Sequence, residues 1–430
     1  MKTITLTTIK SRVHSARKNS LLLNALYLML STFILGVSGF IFWAIVTRTH
    51  DTAAVGFATT LLSVSGLLSL LGLAGFETTF VRFLPTSDRK NDYINTGLIV
   101  TTLSSAILAI GLGFILPIVS PSLSIISNPW AFSSFVFFTV VTALNILTNA
   151  VFLAFKHARY ILIINILFSV VKIALPLFVI DGGALMIFTI AGSAQLFGLI
   201  LSIIWMQRKF DYKISPILHM DTLRVVRKFS FSVYTSNTLS LIPPTLLPLI
   251  VLHYNGAENA AYYYMAFTIV SVLYTVVYAT MQSVLAEGSH NATILRTHIA
   301  TGSKLIILLL LPATLLTILL GNHLLAIFGA EYARGAGTLL QLLAIGSLPI
   351  AAYTALTTTF KVMKKIFPVV VMNTVSALII LGLSNWWLAH YRLEAVGWAW
   401  IIGNTVACGI GMIYLWRIRS VSNTPTRSGR

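Results

Sequence analysis

The chain has 430 residues, 57% of them hydrophobic and only 9% charged, where a soluble domain carries about 25% charged residues. Neither a water-soluble core nor a disordered chain accommodates that apolar excess, which leaves an integral membrane protein that crosses the bilayer many times. A net charge of +18 would point to nucleic acid in a soluble protein, and the single cysteine, Cys408, excludes an intrachain disulfide or a cysteine-rich metal site.

A spanning helix takes about 20 mainly apolar residues. Twelve stretches meet this, at residues 21–46, 53–80, 93–118, 130–155, 160–179 and 184–206, then 229–252, 262–284, 305–320, 338–360, 367–388 and 396–416. The runs are continuously apolar rather than alternating, so they are helices and not barrel strands. The first run is too long for the apolar region of a signal peptide and is expected to be a permanent helix. The predicted organisation is an N-terminal six-helix lobe at 1–206, a cytoplasmic linker at 207–228, a C-terminal six-helix lobe at 229–416 and a cytoplasmic tail at 417–430. No room remains for a soluble catalytic domain.

Of the 29 Lys and Arg, 25 fall on one side of this arrangement when the N-terminus is inside. Arg48, Arg334 and Arg392 fall outside, and Lys172 lies within a span. The asymmetry predicts that both termini are cytoplasmic. It also turns the positive charge into topology and contact with anionic lipids, so nucleic acid is not an expected partner.

The halves repeat. Ile190, Gly192, Gly198, Trp205 and Arg208 recur as Ile401, Gly403, Gly409, Trp416 and Arg419, each 211 residues later. Ala150, Phe155 and Lys156 match Ala355, Phe360 and Lys361 at an offset of 205. Parallel six-helix repeats place a substrate path between the halves and move cargo by rocking, so the function class is transport.

Ionisable groups inside a span are costly and mark function by default. Lys172 lies near mid-depth of the fifth span, and Asn165, Ser169, Lys172 and Pro176 share one helical face. A polar stripe with a central cation suits a diphosphate or an acidic sugar; the same residues also suit hydrogen bonding between helices. Glu77 and Arg82, five residues apart late in the second span, are candidates for gating or ion coupling, or for a structural salt bridge near the inner headgroups. Lys172 is a candidate partner for Glu77. Ser230, Tyr234 and Asn237 form a stripe ahead of Pro243-Pro244, with Tyr234 and Asn237 as candidate substrate contacts. Ser271, Tyr278 and Gln282, with Tyr274 nearby, form another in the eighth span.

The nine histidines show no His-Glu-x-x-His spacing and no P-loop occurs, so neither a zinc site nor a nucleotide cofactor is expected.

Several motifs resemble one family. Arg48 stands ahead of Ala54-Val55-Gly56-Phe57-Ala58, and the second span ends Gly72-Leu73-Ala74-Gly75-Phe76-Glu77-Thr78-Thr79-Phe80-Val81-Arg82-Phe83-Leu84-Pro85. Ala260-Ala261-Tyr262-Tyr263-Tyr264-Met265-Ala266 and Glu394-Ala395-Val396-Gly397-Trp398-Ala399-Trp400 follow in order. Together they resemble the polysaccharide-exporter and O-antigen flippase branch of the MOP superfamily, related to MATE exporters. The resemblance implies an all-α fold of about twelve transmembrane helices in two lobes. It implies flipping of a polyprenyl-diphosphate oligosaccharide from the inner to the outer leaflet of the cytoplasmic membrane, for surface polysaccharide or lipopolysaccharide synthesis. It also implies a substrate contact for Arg48, and a polysaccharide polymerase and glycosyltransferases as partners beside membrane lipids.

Two other functions compete. One is a multidrug or small-solute exporter, MATE-like or of the major facilitator type; the loop Pro85-Thr86-Ser87-Asp88-Arg89-Lys90-Asn91-Asp92 lacks the glycine of the latter's signature. The other is a membrane glycosyltransferase or polymerase, for which the short outer loops offer no acid–base pair.

Overall fold

The computed structural model describes residues 6–179, 182–290 and 295–422. Among them the chain is helical: α1 (Leu6–Thr49), α2 (Thr52–Gly72), α3 (Phe76–Phe83), α4 (Lys90–Val119), α5 (Pro129–Ala154), α6 (Ala158–Phe178), α7 (Gly183–Phe210), α8 (Met220–His290), α9 (Leu295–Ala326), α10 (Ala330–Ile345), α11 (Ser347–Val362), α12 (Ile366–Leu388) and α13 (Glu394–Ser422). Eleven stretches are long and apolar enough to cross a membrane. One of them, Thr238–Met281, has 44 residues and is twice the length that a span needs. Gly256 interrupts it with φ 85 and ψ 175, which makes two helices of it and brings the number of spans to twelve. Ile107, Leu308, Leu319 and Trp416 are each more than 60% exposed, as lipid-facing side chains are.

Local chemistry explains where the helices stop. The predicted second span breaks after Gly72, because Ala74 and Gly75 take positive φ of 47 and 82; α3, with Glu77 and Arg82, is a separate short helix. The predicted span 338–360 divides at Gly346 into α10 and α11. Pro349 lacks the N–H that would continue the ladder across the break. Asn128 caps α5, its side chain accepting from the Trp130 N–H at 2.9 Å, with Pro129 in the first turn. The predicted linker is mostly helix at its ends; residues 211–219 are its extended part.

The chain forms two compact units. The first comprises Met1–Val46, Leu68–Leu116 and Ile125–Tyr234. Its core joins Phe76, Phe80, Leu147, Phe152, Ile164 and Met206. The end of α5 packs on α7, with Phe155 stacked on Phe210 at 4.8 Å. The linker is strapped to the start of α4: the Tyr212 hydroxyl and the Ser215 N–H both donate to Asn95 Oδ1, at 2.6 and 3.1 Å, and Asn95 Nδ2 donates to the Lys213 carbonyl at 3.0 Å. The His219 N–H donates to Thr96 Oγ1 at 3.1 Å, and its ring lies 3.3 Å from Asp92 Oδ1.

The second unit comprises Thr47–Leu67, Pro117–Ser124 and Thr235–Arg430. Most of α2 therefore belongs with the C-terminal half. Gly56 approaches it tightly: a Cβ there would lie 1.8 Å from the Ala257 carbonyl oxygen, beside the break at Gly256. Thr60 Oγ1 reaches the Pro248 carbonyl at 3.5 Å as well as the Gly56 carbonyl at 2.8 Å. A smaller core joins Tyr353, Phe360, Val369, Met372 and Cys408.

The duplication has a structural counterpart. Lys156 and Lys364 both take the left-handed conformation, with φ of 61 and 58. In each unit the following N–H closes back on a phenylalanine carbonyl, His157 on Phe152 and Lys365 on Phe360, at 2.9 and 2.8 Å. This turn sets the offset at 208 residues, where sequence identity alone aligns Phe155-Lys156 with Phe360-Lys361 at 205. The identities slip by most of one helical turn.

Candidate functional site

The α6 stripe is organised against α1. The Asn24 side chain accepts from the Ala158 N–H at 2.9 Å and caps α6. Asn165 Nδ2 donates to Ser31 Oγ at 2.6 Å, and Ser169 Oγ to Ser38 Oγ at 2.9 Å. Asn24, Ser31 and Ser38 stand seven apart, the spacing that keeps one helix face against a neighbour. Small polar residues of this kind hold transmembrane helices together. Lys172 forms the last rung, its Nζ 4.8 Å from the Phe42 ring centroid and 5.8 Å from that of Phe168. The negative ring faces give the ammonium an electrostatic partner. Glu77 is not that partner: it is exposed on α3, and among the described residues no ion pair within 4 Å joins the two. Arg82 is also exposed, its guanidinium 5.4 Å from the Phe83 ring centroid.

Arg48 lies in the last turn of α1, and its Nε donates to the Ile327 carbonyl at 2.9 Å. Ile327 follows the last residue of α9, so a guanidinium sits where the helix presents unsatisfied carbonyls and its negative dipole end. The side chains of Tyr234 and Asn237, and of Ser230 and Gln282, lie outside the described residues.

A cavity of about 500 Å³ lies within the second unit, in the size range of small-ligand sites. Pro243 and Pro244 of α8 line it, together with Ser271, Tyr274 and Tyr278 beyond the break at Gly256. Those last three carry the eighth-span stripe read from the sequence. α11 also lines it, through Tyr353, Thr354, Thr357, Thr358 and Lys361, with Asn373 and Ser376 of α12 and Trp400 and Asn404 of α13. Tyr353 donates to Asn373, the Tyr274 hydroxyl to the Leu343 carbonyl at 2.8 Å, and Asn404 Nδ2 to the Trp400 carbonyl at 2.8 Å. Among the described residues no acidic side chain lines the cavity, and Lys361 is its one charged lining residue.

The α11 wall escapes a sequence reading because Lys361 sits at a span end, where a basic residue serves topology. The helical spacing of Thr354, Thr357, Thr358 and Lys361 is the available signal. The other face of α11, with Leu348, Ala351, Ala352 and Ala355, lines an apolar groove of about 370 Å³ with Ile306 and Leu310 of α9. Among the described residues no group of three His, Cys, Asp or Glu side chains is placed to hold a metal ion.

No curated protein matches the chain in sequence. Solved structures do match in fold. The inward-facing conformation of a multidrug resistance MATE family transporter of the MOP superfamily aligns at a TM-score of 0.71 and 15% identity, over 94% of this chain and 100% of that one. An outward-facing conformation of such a transporter gives 0.62 at 15% identity, over 95% and 97%. A MOP superfamily transporter from Pyrococcus furiosus gives 0.60 at 16%, over 95% and 97%. The sequence model of one family, described as polysaccharide biosynthesis protein, matches residues 45–336, more than half of the chain. The α1–α13 layout and this match make the chain a member of the polysaccharide biosynthesis protein family, a multi-pass membrane protein with the fold of the MATE transporters.

Proposed function

We propose that this protein moves a lipid-linked oligosaccharide, carried on a polyprenyl diphosphate, from the inner to the outer leaflet of the cytoplasmic membrane, with both of its own termini in the cytoplasm. A sugar headgroup does not cross hydrocarbon unaided, because each hydroxyl would lose its hydrogen bonds at several kcal/mol. The cavity of the second unit supports the reading: it offers hydroxyls, amides, aromatic faces and one ammonium, and no carboxylate among its described lining residues that would repel a diphosphate. Lys172 supplies a second cation inside a span, in the first unit. Family membership supports the polysaccharide context.

The test is genetic and chemical. Deleting the gene is expected to abolish surface polysaccharide while lipid-linked oligosaccharide accumulates on the cytoplasmic side, and a plasmid copy is expected to restore delivery. Normal surface polysaccharide with raised sensitivity to cationic drugs would instead establish the multidrug exporter.

A further inference from the structure

The cavity of the second unit differs at its two ends. One end is aromatic: the Tyr274 and Trp400 planes are 5° apart with centroids 6.2 Å apart, and Phe267 stands edge-on to both. The Tyr274 hydroxyl is engaged by the Leu343 carbonyl, and Tyr274, Trp400 and Phe267 all line the chamber. The other end follows one face of α11, where Thr354, Thr357, Thr358 and Lys361 succeed one another at i, i+3, i+4 and i+7. Thr357 gives its hydroxyl hydrogen to the Thr354 carbonyl at 3.1 Å. Thr354 Oγ1 has no hydrogen-bond partner among the described residues, although the residue is only 7% exposed. Lys361 is half-buried and, among the described residues, makes no ion pair within 4 Å. From the level of Ile350 to Lys361 the wall is about 16 Å long.

A buried hydroxyl left without a partner is costly, and natural proteins rarely leave one. Here it shares a face with an unpaired ammonium in a chamber whose described lining holds no carboxylate. A ligand that accepts hydrogen bonds and carries negative charge satisfies both groups at once. We infer that Lys361 and Thr354 form the diphosphate subsite of the carrier, with the proximal sugar ring against the Tyr274–Trp400 end. The assignment rests on the proposed function for the identity of the anion. A sugar presents apolar C–H surface to ring faces and hydroxyls to Asn373 and Asn404, which line the same chamber.

The probe is inorganic pyrophosphate, titrated calorimetrically against the full chain in phosphatidylcholine nanodiscs. Saturable binding is expected, weakened about tenfold to a hundredfold in Lys361→Met and largely kept in Lys361→Arg. Thr354→Val preserves shape and removes the donor; it is expected to weaken binding several-fold at an unchanged thermal unfolding temperature, and it carries the test should the methionine variant fail to fold. Binding indifferent to both substitutions overturns the subsite. So does loss of pyrophosphate binding when phosphatidylglycerol enters the disc, since an ordinary lipid headgroup would then be the occupant. The cellular assay separates the two claims. Surface polysaccharide that needs the gene, beside pyrophosphate binding blind to Lys361 and Thr354, removes the subsite and leaves the function. Binding that needs Lys361, beside polysaccharide that does not need the gene, keeps an anion site and removes the carrier as its ligand.

Discussion

The Tyr212 hydroxyl donates to Asn95 Oδ1 across 117 residues of chain, and the same oxygen takes the Ser215 N–H. One amide at the start of α4 thus holds the connection that leads into α8. Asn95→Ala removes the acceptor for both groups and the donor to Lys213, and is expected to destabilise the first unit by about 2–4 kcal/mol. Tyr212→Phe removes one bond and is expected to cost about 1 kcal/mol. Limited proteolysis within 211–219, alongside thermal unfolding, measures both. Asp92→Asn, which breaks only a partly exposed contact with His219, is expected to cost less than about 1 kcal/mol.

The strap has a pH limit. Burial pushes the Tyr212 hydroxyl up to about 12, from an ordinary value near 10. The folded state therefore favours the protonated phenol. Its contribution is complete below pH 10 and is lost as pH rises through 12. Unfolding temperature followed from pH 9 upward is expected to fall less steeply in Tyr212→Phe than in the parent protein.

Gly56 admits no side chain. A Cβ added there would stand 1.8 Å from the Ala257 oxygen, so Gly56→Ala must push α2 off its neighbour, at about 1–3 kcal/mol or more. Gly36 of α1 has nothing within 4 Å of the same position. Gly36→Ala is expected to be neutral or to stabilise by about 0.5–1 kcal/mol, through helix propensity. Comparing detergent-solubilised unfolding temperatures decides the matter.

Lys156 and Lys364 hold a conformation that disfavours any Cβ, at roughly 1–2 kcal/mol. Lys156→Gly and Lys364→Gly are each expected to raise stability, by similar amounts because the turns match. A stabilisation at one site with a loss at the other would contradict the structural repeat.

The α1–α6 ladder calls for a double-mutant cycle. Asn165→Ala and Ser31→Ala are expected to couple by about 0.6–2 kcal/mol. Lys172→Met loses a cation–π contact of roughly 0.5–2 kcal/mol. If Lys172 also meets the cargo, Lys172→Met at normal membrane levels lowers surface polysaccharide further than Asn165→Ala does.

Run length makes the spans legible, because continuous apolar sequence has one solution in a bilayer. The breaks are less so. Gly75 bends the chain through backbone freedom, at φ 82, and Pro349 breaks the ladder after Gly346, neither of which a hydropathy count registers. The Asn165–Ser169–Lys172 face is visible from spacing, but its neighbour is not: Ser31 and Ser38 look ordinary until α1 is placed beside α6. Lys361 merges into the topology of its side of the membrane, and only the cavity separates it from the basic residues that anchor loops. A shared Phe-Lys pair misleads the register of the repeat, where the left-handed turn is the true landmark.

The two faces of α11 restrict how that helix moves. Threonines and Lys361 occupy one side, Leu348 and three alanines the other, with an oily groove behind them. One residue's worth of roll, about 100°, would aim Thr354 toward hydrocarbon and bring alanine into the chamber. Tilting or sliding preserves the partition; spinning destroys it. Any motion that keeps the chamber polar leaves α11 at its azimuth, a fixed bulkhead between a polar compartment and an apolar one.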